Sequence, residues 1–248
     1  MSRPNPLHVI ACEPPRFSAA DACDIAARHY GIDADARMLV SERDQNFRMK
    51  ATDGSRWVLK IANAGEDPAV SDFQIRALRH IAGQEPAVTV PLVRLTLAGE
   101  DRLLLDRDGD RHVVRLVSYL DGEPLEGKPL SAALARDCGR TLALLGQALC
   151  RFRHPGADQP LLWDMKQALA LRDLLATVDD TALRTLLQAC LDDFADEALP
   201  RFPGLRSQVI HNDLNPANIL VSPAAPDRVA GVIDFGDMQH SPLIVDLA

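Results

Sequence analysis

Hydrophobic and polar residues alternate over short stretches in the first half of the chain, a period of two that is typical of half-buried β-strands. Residues 46–52 and 56–61 both show this alternation, and Asp53-Gly54 between them is a hairpin turn signal. The same pattern predicts four further strands, at residues 36–40, 92–97, 103–105 and 111–119. We therefore expect a sheet of five or six strands in this half.

Two segments of the same half have apolar residues every three to four positions, which predicts amphipathic helices. The first spans residues 18–30, with Ser18 as N-cap and Gly31 as a stop signal. The second opens at Asp67-Pro68 and runs to about Ile81.

The helical period dominates after Asp121-Gly122. Helices are predicted at residues 131–152, 163–175 and 180–199, and short strands at 208–210, 219–221 and 229–233. The chain is thus expected to be an α+β protein of two lobes. A strand-rich N-lobe (residues 1–117) is followed by a hinge (118–123) and a mainly helical C-lobe (124–248).

The composition is that of an ordinary globular chain, since 47% of the 248 residues are hydrophobic and 25% are charged. The net charge of −8 argues against a nucleic-acid or acidic-membrane partner. No apolar run approaches the roughly 18 residues of a membrane span, and no signal-peptide core begins the chain. We expect a cytoplasmic protein, because its five cysteines are widely spaced and lack a C-x-x-C pair: Cys12, Cys23, Cys138, Cys150 and Cys190.

The strongest chemical signal is HNDLNPANIL at residues 211–220, followed by VIDFGD at 232–237. His211, Asp213 and Asn218 fit the spacing H-x-D-x-x-x-x-N, and Asp234-Phe235-Gly236 begins sixteen residues beyond Asn218. This order places a carboxylate, a carboxamide and a second carboxylate where a kinase needs a catalytic base and two magnesium ligands. The pattern predicts phosphoryl transfer.

Lys60 is the candidate for contacting nucleotide phosphates. The chain has 23 arginines and only 4 lysines, so a lysine between Leu59 and Ile61 in an apolar strand is not its default cation. A compact ammonium reaching the α- and β-phosphates from the sheet is what a kinase requires. The alternative is a strand-surface lysine whose ammonium lies in solvent.

The expected partner of Lys60 departs from the protein-kinase pattern, where a glutamate on the next helix pairs with this lysine. The best-placed residue here is Gln74, whose carboxamide could orient Lys60, while Glu66 and Asp72 are off register. The loop at residues 41–46 also lacks G-x-G-x-x-G, so its backbone, helped by Ser41 or Asn46, would have to approach the phosphates. The chain contains no G-x-x-x-x-G-K-[ST] either.

The predicted hinge offers backbone groups to a purine edge, with the Ser118 carbonyl and the Leu120 amide as candidates. An ordinary linker strand explains these side chains equally well.

Together these residues resemble the aminoglycoside phosphotransferase and choline kinase superfamily of small-molecule kinases. The sequence of these motifs is most similar to the hydroxylysine kinase branch, including kinase-like domains fused ahead of class III aminotransferases. The resemblance implies a bilobal protein-kinase-like fold, Mg²⁺, and ATP or GTP as cosubstrate. Besides the two catalytic blocks, it is carried by SERDQNF at 41–47, WVLKI at 57–61, DPAVSDFQIRAL at 67–78, VRLVSYLDG at 114–122 and FRHPGADQPLLWDMKQA at 152–168.

By this resemblance Asp213 would be the catalytic base, Asn218 and Asp234 would hold magnesium, and His211 would brace the catalytic loop. Asn215 stands where Ser/Thr protein kinases usually carry a lysine, which favours a small-molecule acceptor. Asp246 matches an acidic residue that anchors the catalytic loop through backbone hydrogen bonds.

Relatives continue beyond the position of Ala248 with helices that complete the C-lobe, so we expect a truncated C-lobe and possible further domains C-terminal in the same protein. The leading hypothesis is a kinase acting on a hydroxyl of an amine-bearing metabolite. A nucleotide-binding regulatory or pseudokinase module is the alternative, and a protein kinase is disfavoured because no A-P-E segment follows the DFG. A cationic acceptor is suggested by four acidic residues: Asp121, Glu123, Asp164 and Asp237.

Overall fold

The computed structural model describes residues 12–84, 88–161 and 163–247. An antiparallel sheet of six strands dominates its first half, in the order β1-β2-β3-β6-β4 with β5 paired to β6. The predicted number of strands is therefore confirmed. Their bounds are β1 Ala34–Leu39, β2 Gln45–Ala51, β3 Arg56–Ile61, β4 Val93–Arg94, β5 Leu103–Arg107 and β6 Asp110–Ser118.

Helix α1 (Ala19–Tyr30) covers one part of this sheet, and its ends follow the sequence signals. Ser18 and Asp21 form a reciprocal capping box at its start, and Gly31 ends it in the left-handed region with φ 65°. Strand β2 alternates between buried and more exposed positions, so Phe47 and Met49 lie in the core beneath α1.

Helix α2 (Pro68–Gln84) packs between the sheet and the second half of the chain. Its buried face contributes Phe73, Ala77 and Ile81 to a core that also contains Leu145, Val209 and other residues of the second half. One continuous core thus joins the sheet to the elements that carry the catalytic motifs.

The second half contains helices and three short antiparallel pairings. β8 pairs with β11, and β9 pairs with both β7 and β10. The elements are β7 Glu123–Pro124, α3 Ala132–Leu149, α4 Thr181–Asp193, β8 Ser207–Ile210, β9 Ile219–Ser222, β10 Ala225–Val232 and β11 Gln239–Pro242. The α+β class and the bilobal arrangement of an antiparallel sheet and a mainly helical part are confirmed.

Several predicted elements differ in type or length. Residues Met165–Thr177 form a 3₁₀-helix rather than an α-helix, and no residue of this segment is buried. The helix predicted at 180–199 keeps α geometry only to Asp193. A π-helical turn (Phe194–Ala198) follows, and then a 3₁₀ turn (Leu199–Gly204) that contains Pro200 and Pro203. The strand predicted at 92–97 shortens to Val93–Arg94.

Candidate active site

Two adjoining cavities lie between the sheet and the catalytic strands. The first, about 290 Å³, is mostly apolar, with Val58, Val117 and Leu220 among its walls. The second, about 260 Å³, is lined by polar and charged residues that include Asp213 and Asn218. Five residues line both cavities, so that one continuous cleft results: Val40, Asn46, Lys60, Gln74 and Asp234.

Asp213 is held in place by two asparagines of its own loop. Its Oδ1 accepts a hydrogen bond from Asn215 Nδ2 at 2.7 Å, and its Oδ2 accepts one from Asn218 Nδ2 at 2.7 Å. Burial raises the pKa of the Asp213 carboxyl, and the nearby Asp234 charge raises it further, while the two asparagines act in the opposite direction. The carboxylate is therefore fixed in orientation and partly desolvated, as a proton acceptor in a cleft should be.

His211 and Asp246 support the loop from behind. The imidazole Nε2 lies 3.1 Å from the Ile233 carbonyl oxygen, and Nδ1 accepts the Asp213 backbone N–H at 3.3 Å. Burial lowers the pKa of His211 to about 4, so its ring is neutral and donates from Nε2. Asp246 accepts the backbone N–H groups of His211 at 3.2 Å and Asn212 at 2.7 Å, which confirms the predicted backbone hydrogen bonds of Asp246.

The backbone at Asp234 turns sharply where β10 ends. Asp234 has a φ of 61° and a ψ of 75°, a left-handed conformation that is uncommon outside glycine. Phe235 anchors the turn by packing edge-on against His211, with 4.7 Å between ring centroids. The Asp234 carboxylate consequently lines both cavities, 3.6 Å from Lys60 Nζ, and Lys60 holds the pKa of Asp234 below its ordinary value.

Asn218 and Asp234 fit the donor chemistry of a magnesium ion. The Asn218 Nδ2 is used by Asp213, which leaves its carboxamide oxygen for another partner, and both residues line the polar cavity. In the described part of the chain no cluster of three or more His, Cys, Asp or Glu could hold a metal on its own. Two side-chain oxygens of this kind match the needs of Mg²⁺, which takes one or two protein oxygens and completes its shell with phosphates and water.

Lys60 lies in a row of polar side chains that crosses the sheet. In the strand register Asn46 stands opposite it on β2 and Arg115 opposite it on β6. Directly opposed residues in antiparallel strands point to the same face, and all three line the apolar cavity. The Asn46 Oδ1 is buried without a hydrogen-bond partner among the described residues, which leaves one acceptor for a bound molecule.

Gln74 has a different partner from the one anticipated. Its Oε1 accepts a hydrogen bond from Arg115, a residue only 2% exposed whose guanidinium also donates to Ser71 Oγ at 3.3 Å. Ser71 in turn donates to Glu66 Oε1 at 2.7 Å. Among the described residues the ion-pair partner of Lys60 is Asp234. The Gln74 carboxamide on α2 instead accepts a hydrogen bond from a second buried cation, Arg115.

The loop between β1 and β2 reaches across the cleft. Ser41 lines the polar cavity as expected. Arg43 Nη2 forms an ion pair with Asp237 Oδ1 at 2.5 Å, and its guanidinium lies 5.1 Å from the Trp163 ring centroid. Asn63 fixes the loop backbone by donating to the Arg43 carbonyl oxygen at 3.2 Å.

The predicted hinge residues Ser118 and Leu120 both line the apolar cavity. Ser118 also ties β6 to the segment before β4, since its N–H donates to the Leu92 carbonyl and its Oγ accepts the Leu92 N–H, each at 2.9 Å.

The four acidic residues proposed to favour a cationic acceptor are dispersed. Asp121 pairs with Arg56, Glu123 pairs with Lys128 at 2.6 Å, and Asp164 lies 3.4 Å from Lys166. Among these four, Asp237 is the one that lines the polar cavity.

Arg43, Arg115 and Trp163 were not anticipated. The strand pairing could have indicated Arg115, because a register that opposes β3 to β6 places it beside Lys60. No strand pairing indicates Arg43 or Trp163, because the contact between their side chains depends on how the β1–β2 loop crosses the cleft.

Known proteins are similar to this chain along most of its length. The model of a family described as "Phosphotransferase enzyme family" matches residues 37–248. The hydroxylysine kinase of Danio rerio is 27% identical over 249 residues, an alignment that covers 94% of this chain and 69% of that protein.

Two solved structures share the fold at lower sequence identity. A microcompartment-associated aminopropanol kinase superimposes with a TM-score of 0.74 at 20% identity, covering 93% of this chain and 73% of its own. Amicoumacin kinase in complex with AMP-PNP, Ca²⁺ and its ligand gives 0.65 at 16% identity, covering 86% and 61%. This chain thus spans between three fifths and three quarters of these proteins, and the protein-kinase-like fold is confirmed.

In the part of the chain that the structure describes, no helix has the length and apolarity needed to span a bilayer.

The family model covers far more than half of the sequence, including both catalytic blocks. The chain therefore belongs to the phosphotransferase enzyme family and is a phosphotransferase.

Proposed function

We propose that the chain is a magnesium-dependent small-molecule kinase that transfers the γ-phosphate of ATP or GTP to a hydroxyl of an amine-bearing metabolite. One observation carries the proposal. The Asp213 carboxylate, oriented by Asn215 and Asn218, lines the same polar cavity as the Lys60–Asp234 pair. A proton acceptor, a phosphate-binding cation and a metal-binding carboxylate together are what phosphoryl transfer needs.

The division of the cleft supports a nucleotide orientation. The apolar cavity suits a purine, and the Ser118 carbonyl and the Leu120 amide would meet its edge, since both residues line this cavity. The phosphates would then extend into the polar cavity toward Lys60, Ser41 and Asn46. In this assignment residues 1–117 form the N-lobe, 118–123 the hinge and 124–248 the C-lobe.

Asn218 and Asp234 would hold the metal ion. Bound Mg²⁺ supplies positive charge that offsets the phosphate charges during transfer. Asp213 orients the acceptor hydroxyl and takes its proton as the hydroxyl oxygen bonds to the γ-phosphorus. The bond from that phosphorus to the bridging oxygen breaks, and the electron pair leaves with the nucleoside diphosphate.

The acceptor class follows from the relatives and from one residue of the cavity. The names hydroxylysine kinase and aminopropanol kinase both describe enzymes of compounds that carry an amine and a hydroxyl. Asp237, whose Oδ1 is paired with Arg43, supplies a carboxylate beside the catalytic turn that could also attract an ammonium group. The Cys23, Cys138, Cys150 and Cys190 thiols form no disulfide in the described structure, which favours a reducing compartment such as the cytoplasm.

A panel of amino alcohols and hydroxylated amino acids tests the proposal, with ATP and GTP each supplied with Mg²⁺. We expect acceptor-dependent release of nucleoside diphosphate that Asp213→Ala abolishes. Release that is the same in the wild type and in Asp213→Ala for every acceptor would refute a kinase that uses this base.

The alternative is a nucleotide-binding regulatory module. It is favoured by the commitment of Gln74 to Arg115, which leaves Lys60 without a partner on α2 among the described residues. This alternative predicts nucleotide binding by calorimetry without turnover, and any acceptor-dependent turnover excludes it.

A further inference from the structure

We propose that Arg43 is a catalytic residue whose guanidinium contacts the terminal phosphoryl group during transfer. The inference rests on the kinase function proposed above. Arg43 is the cation in the β1–β2 loop that spans the cleft to Asp237 and Trp163, and it is distinct from Lys60 on the sheet.

The loop that carries Arg43 is anchored at its backbone. Asn63, which is 2% exposed, donates from Nδ2 to the Arg43 carbonyl oxygen at 3.2 Å, and its own N–H donates to Asp44 Oδ1 at 3.1 Å. These bonds tie the loop to the end of β3, the strand of Lys60. The direction of the Arg43 side chain is therefore set by a fixed backbone and not by a flexible loop tip.

The guanidinium and the carboxylate that we assign to the metal both approach Gly236 of the catalytic turn. A Cβ built on Gly236 would be 3.3 Å from Asp234 Oδ1 and 3.5 Å from Arg43 Nη2, so both atoms flank the same point of the catalytic turn. The side chains of Arg43 and Asp237 are only 17% and 15% exposed. A cation this shielded from water interacts strongly with charge that develops beside it.

The charge balance of the polar cavity calls for this cation. Among the described residues that line it, Lys60 and Arg43 carry positive charge, against six acidic side chains: Glu42, Asp44, Glu66, Asp213, Asp234 and Asp237. A guanidinium has five N–H donors, and the recorded bond to Asp237 engages one nitrogen, Nη2. Arg43 can therefore keep Asp237 and donate other N–H groups to a phosphate.

The chemical step explains which negative charge Arg43 would stabilise. As the acceptor oxygen bonds to the γ-phosphorus and the bond to the bridging oxygen breaks, the electron pair leaves with the diphosphate and the proton passes to Asp213. Negative charge meanwhile spreads over the three equatorial oxygens. An arginine that donates to these oxygens stabilises the transfer more than it stabilises the bound diphosphate.

A purely structural contact between the lobes makes a different prediction. If Arg43 only closed the cleft, removing Arg43 or Asp237 would break the same ion pair and have the same effect. Charge stabilisation instead requires the guanidinium, and Asp237→Asn leaves that group in place.

The test uses binding and does not depend on the acceptor. Affinity for ADP or GDP with Mg²⁺ is measured by calorimetry with and without aluminium fluoride, which mimics the transferring phosphoryl group. The wild type is compared with Arg43→Ala, Arg43→Lys and Asp237→Asn. Arg111→Ala is the matched control, because Arg111 pairs with Asp106 on an exposed hairpin.

We expect Arg43→Ala to weaken the fluoride complex about 100-fold and the diphosphate complex about 3-fold or less, with partial recovery in Arg43→Lys. Retained diphosphate binding shows that each variant is folded. Asp237→Asn should lose less than about 10-fold of the fluoride affinity, and Arg111→Ala should match the wild type. Equal losses in Arg43→Ala and Asp237→Asn, or no gain from fluoride in the wild type, would overturn the inference alone, whereas absent nucleotide binding in the wild type would overturn the proposed function as well.

Discussion

At the scale of single residues, the catalytic motif could be predicted because its spacing is a local property of the sequence. His211, Asp213 and Asn218 lie in one loop, and hydrogen bonds within or beside that loop hold them. Arg43 and Arg115 could not be selected in the same way from 23 arginines. Which arginine faces the cleft depends on strand register and on a loop crossing, and neither is written in a local pattern.

Replacing Asp213 by asparagine should lower kcat by about 100- to 10,000-fold, because the amide cannot accept the hydroxyl proton. Affinity for the nucleotide should change little, since the residue is assigned to the acceptor. Steady-state kinetics and calorimetry on Asp213→Asn measure both quantities. Asp121→Asn is the control, as Asp121 pairs with Arg56 outside both cavities, and a kcat near that control would refute the role of Asp213.

His211 should remain neutral well below the pH at which an ordinary histidine is protonated. Burial lowers its pKa from 6.5 to about 4, so the unfolded chain binds a proton that the folded chain resists. The contribution of His211 to stability is therefore complete above about pH 6.5 and declines as the pH falls toward 4. Imidazole NMR shifts that titrate near pH 6.5 for this residue would contradict the buried, neutral assignment.

At the scale of elements, strands with clear alternation were predicted to within one or two residues, as β2 and β3 show. The weakest predictions fall on residues 163–199, where apolar spacing suggested α-helices. No residue of Met165–Thr177 is buried and Leu171 is exposed, so this segment packs little against the described core. Tertiary packing normally stabilises helices of this length, so the spacing alone was a poor guide.

The contact between α2 and the turn at residues 155–158 can be tested through Gly156. A Cβ at this position would overlap the Ala69 carbonyl oxygen and lie 2.9 Å from Phe73 Cβ. We expect Gly156→Ala to reduce the free energy of unfolding by about 1–3 kcal/mol.

Gly139→Ala is the matched control for this substitution. Gly139 lies inside α3, and apart from its chain neighbours and the helix's own backbone no atom lies within 4 Å of the new Cβ, so alanine should stabilise the protein by about 0.5–1 kcal/mol. Urea denaturation measures the free energy of unfolding of both variants. Equal changes in the two would mean that the contact between Gly156 and α2 is looser than described.

At the scale of the whole molecule, one core joins the sheet to the catalytic strands, and the cleft lies along the same junction. The sequence predicted an antiparallel sheet followed by a mainly helical part, and it predicted the phosphotransferase class of the chain. The identity of the acceptor was harder to predict, because all four acidic residues first suggested are engaged by cations: Asp121 by Arg56, Glu123 by Lys128, Asp164 by Lys166 and Asp237 by Arg43.

Mg²⁺ and nucleotide together should stabilise the fold, because the ligand contacts both halves of the cleft. At a ligand concentration of about 100 Kd the stabilisation is about 2.7 kcal/mol, which corresponds to a rise in Tm of about 5–10 °C. Differential scanning fluorimetry should show the full rise for the wild type and most of it lost when Mg²⁺ is omitted. A metal-dependent rise of the same size in Asp234→Asn would contradict the assignment of Asp234 as a magnesium ligand.

The most direct test of the central claim is ³¹P NMR of the reaction products. Wild-type protein is incubated with ATP or GTP, Mg²⁺ and hydroxylysine or a short amino alcohol, with Asp213→Ala in parallel. We predict a phosphomonoester signal on at least one acceptor, formed together with nucleoside diphosphate by the wild type and absent with Asp213→Ala. Tight nucleotide binding with no phosphomonoester on any acceptor would contradict the kinase assignment and identify the chain as a nucleotide-binding module.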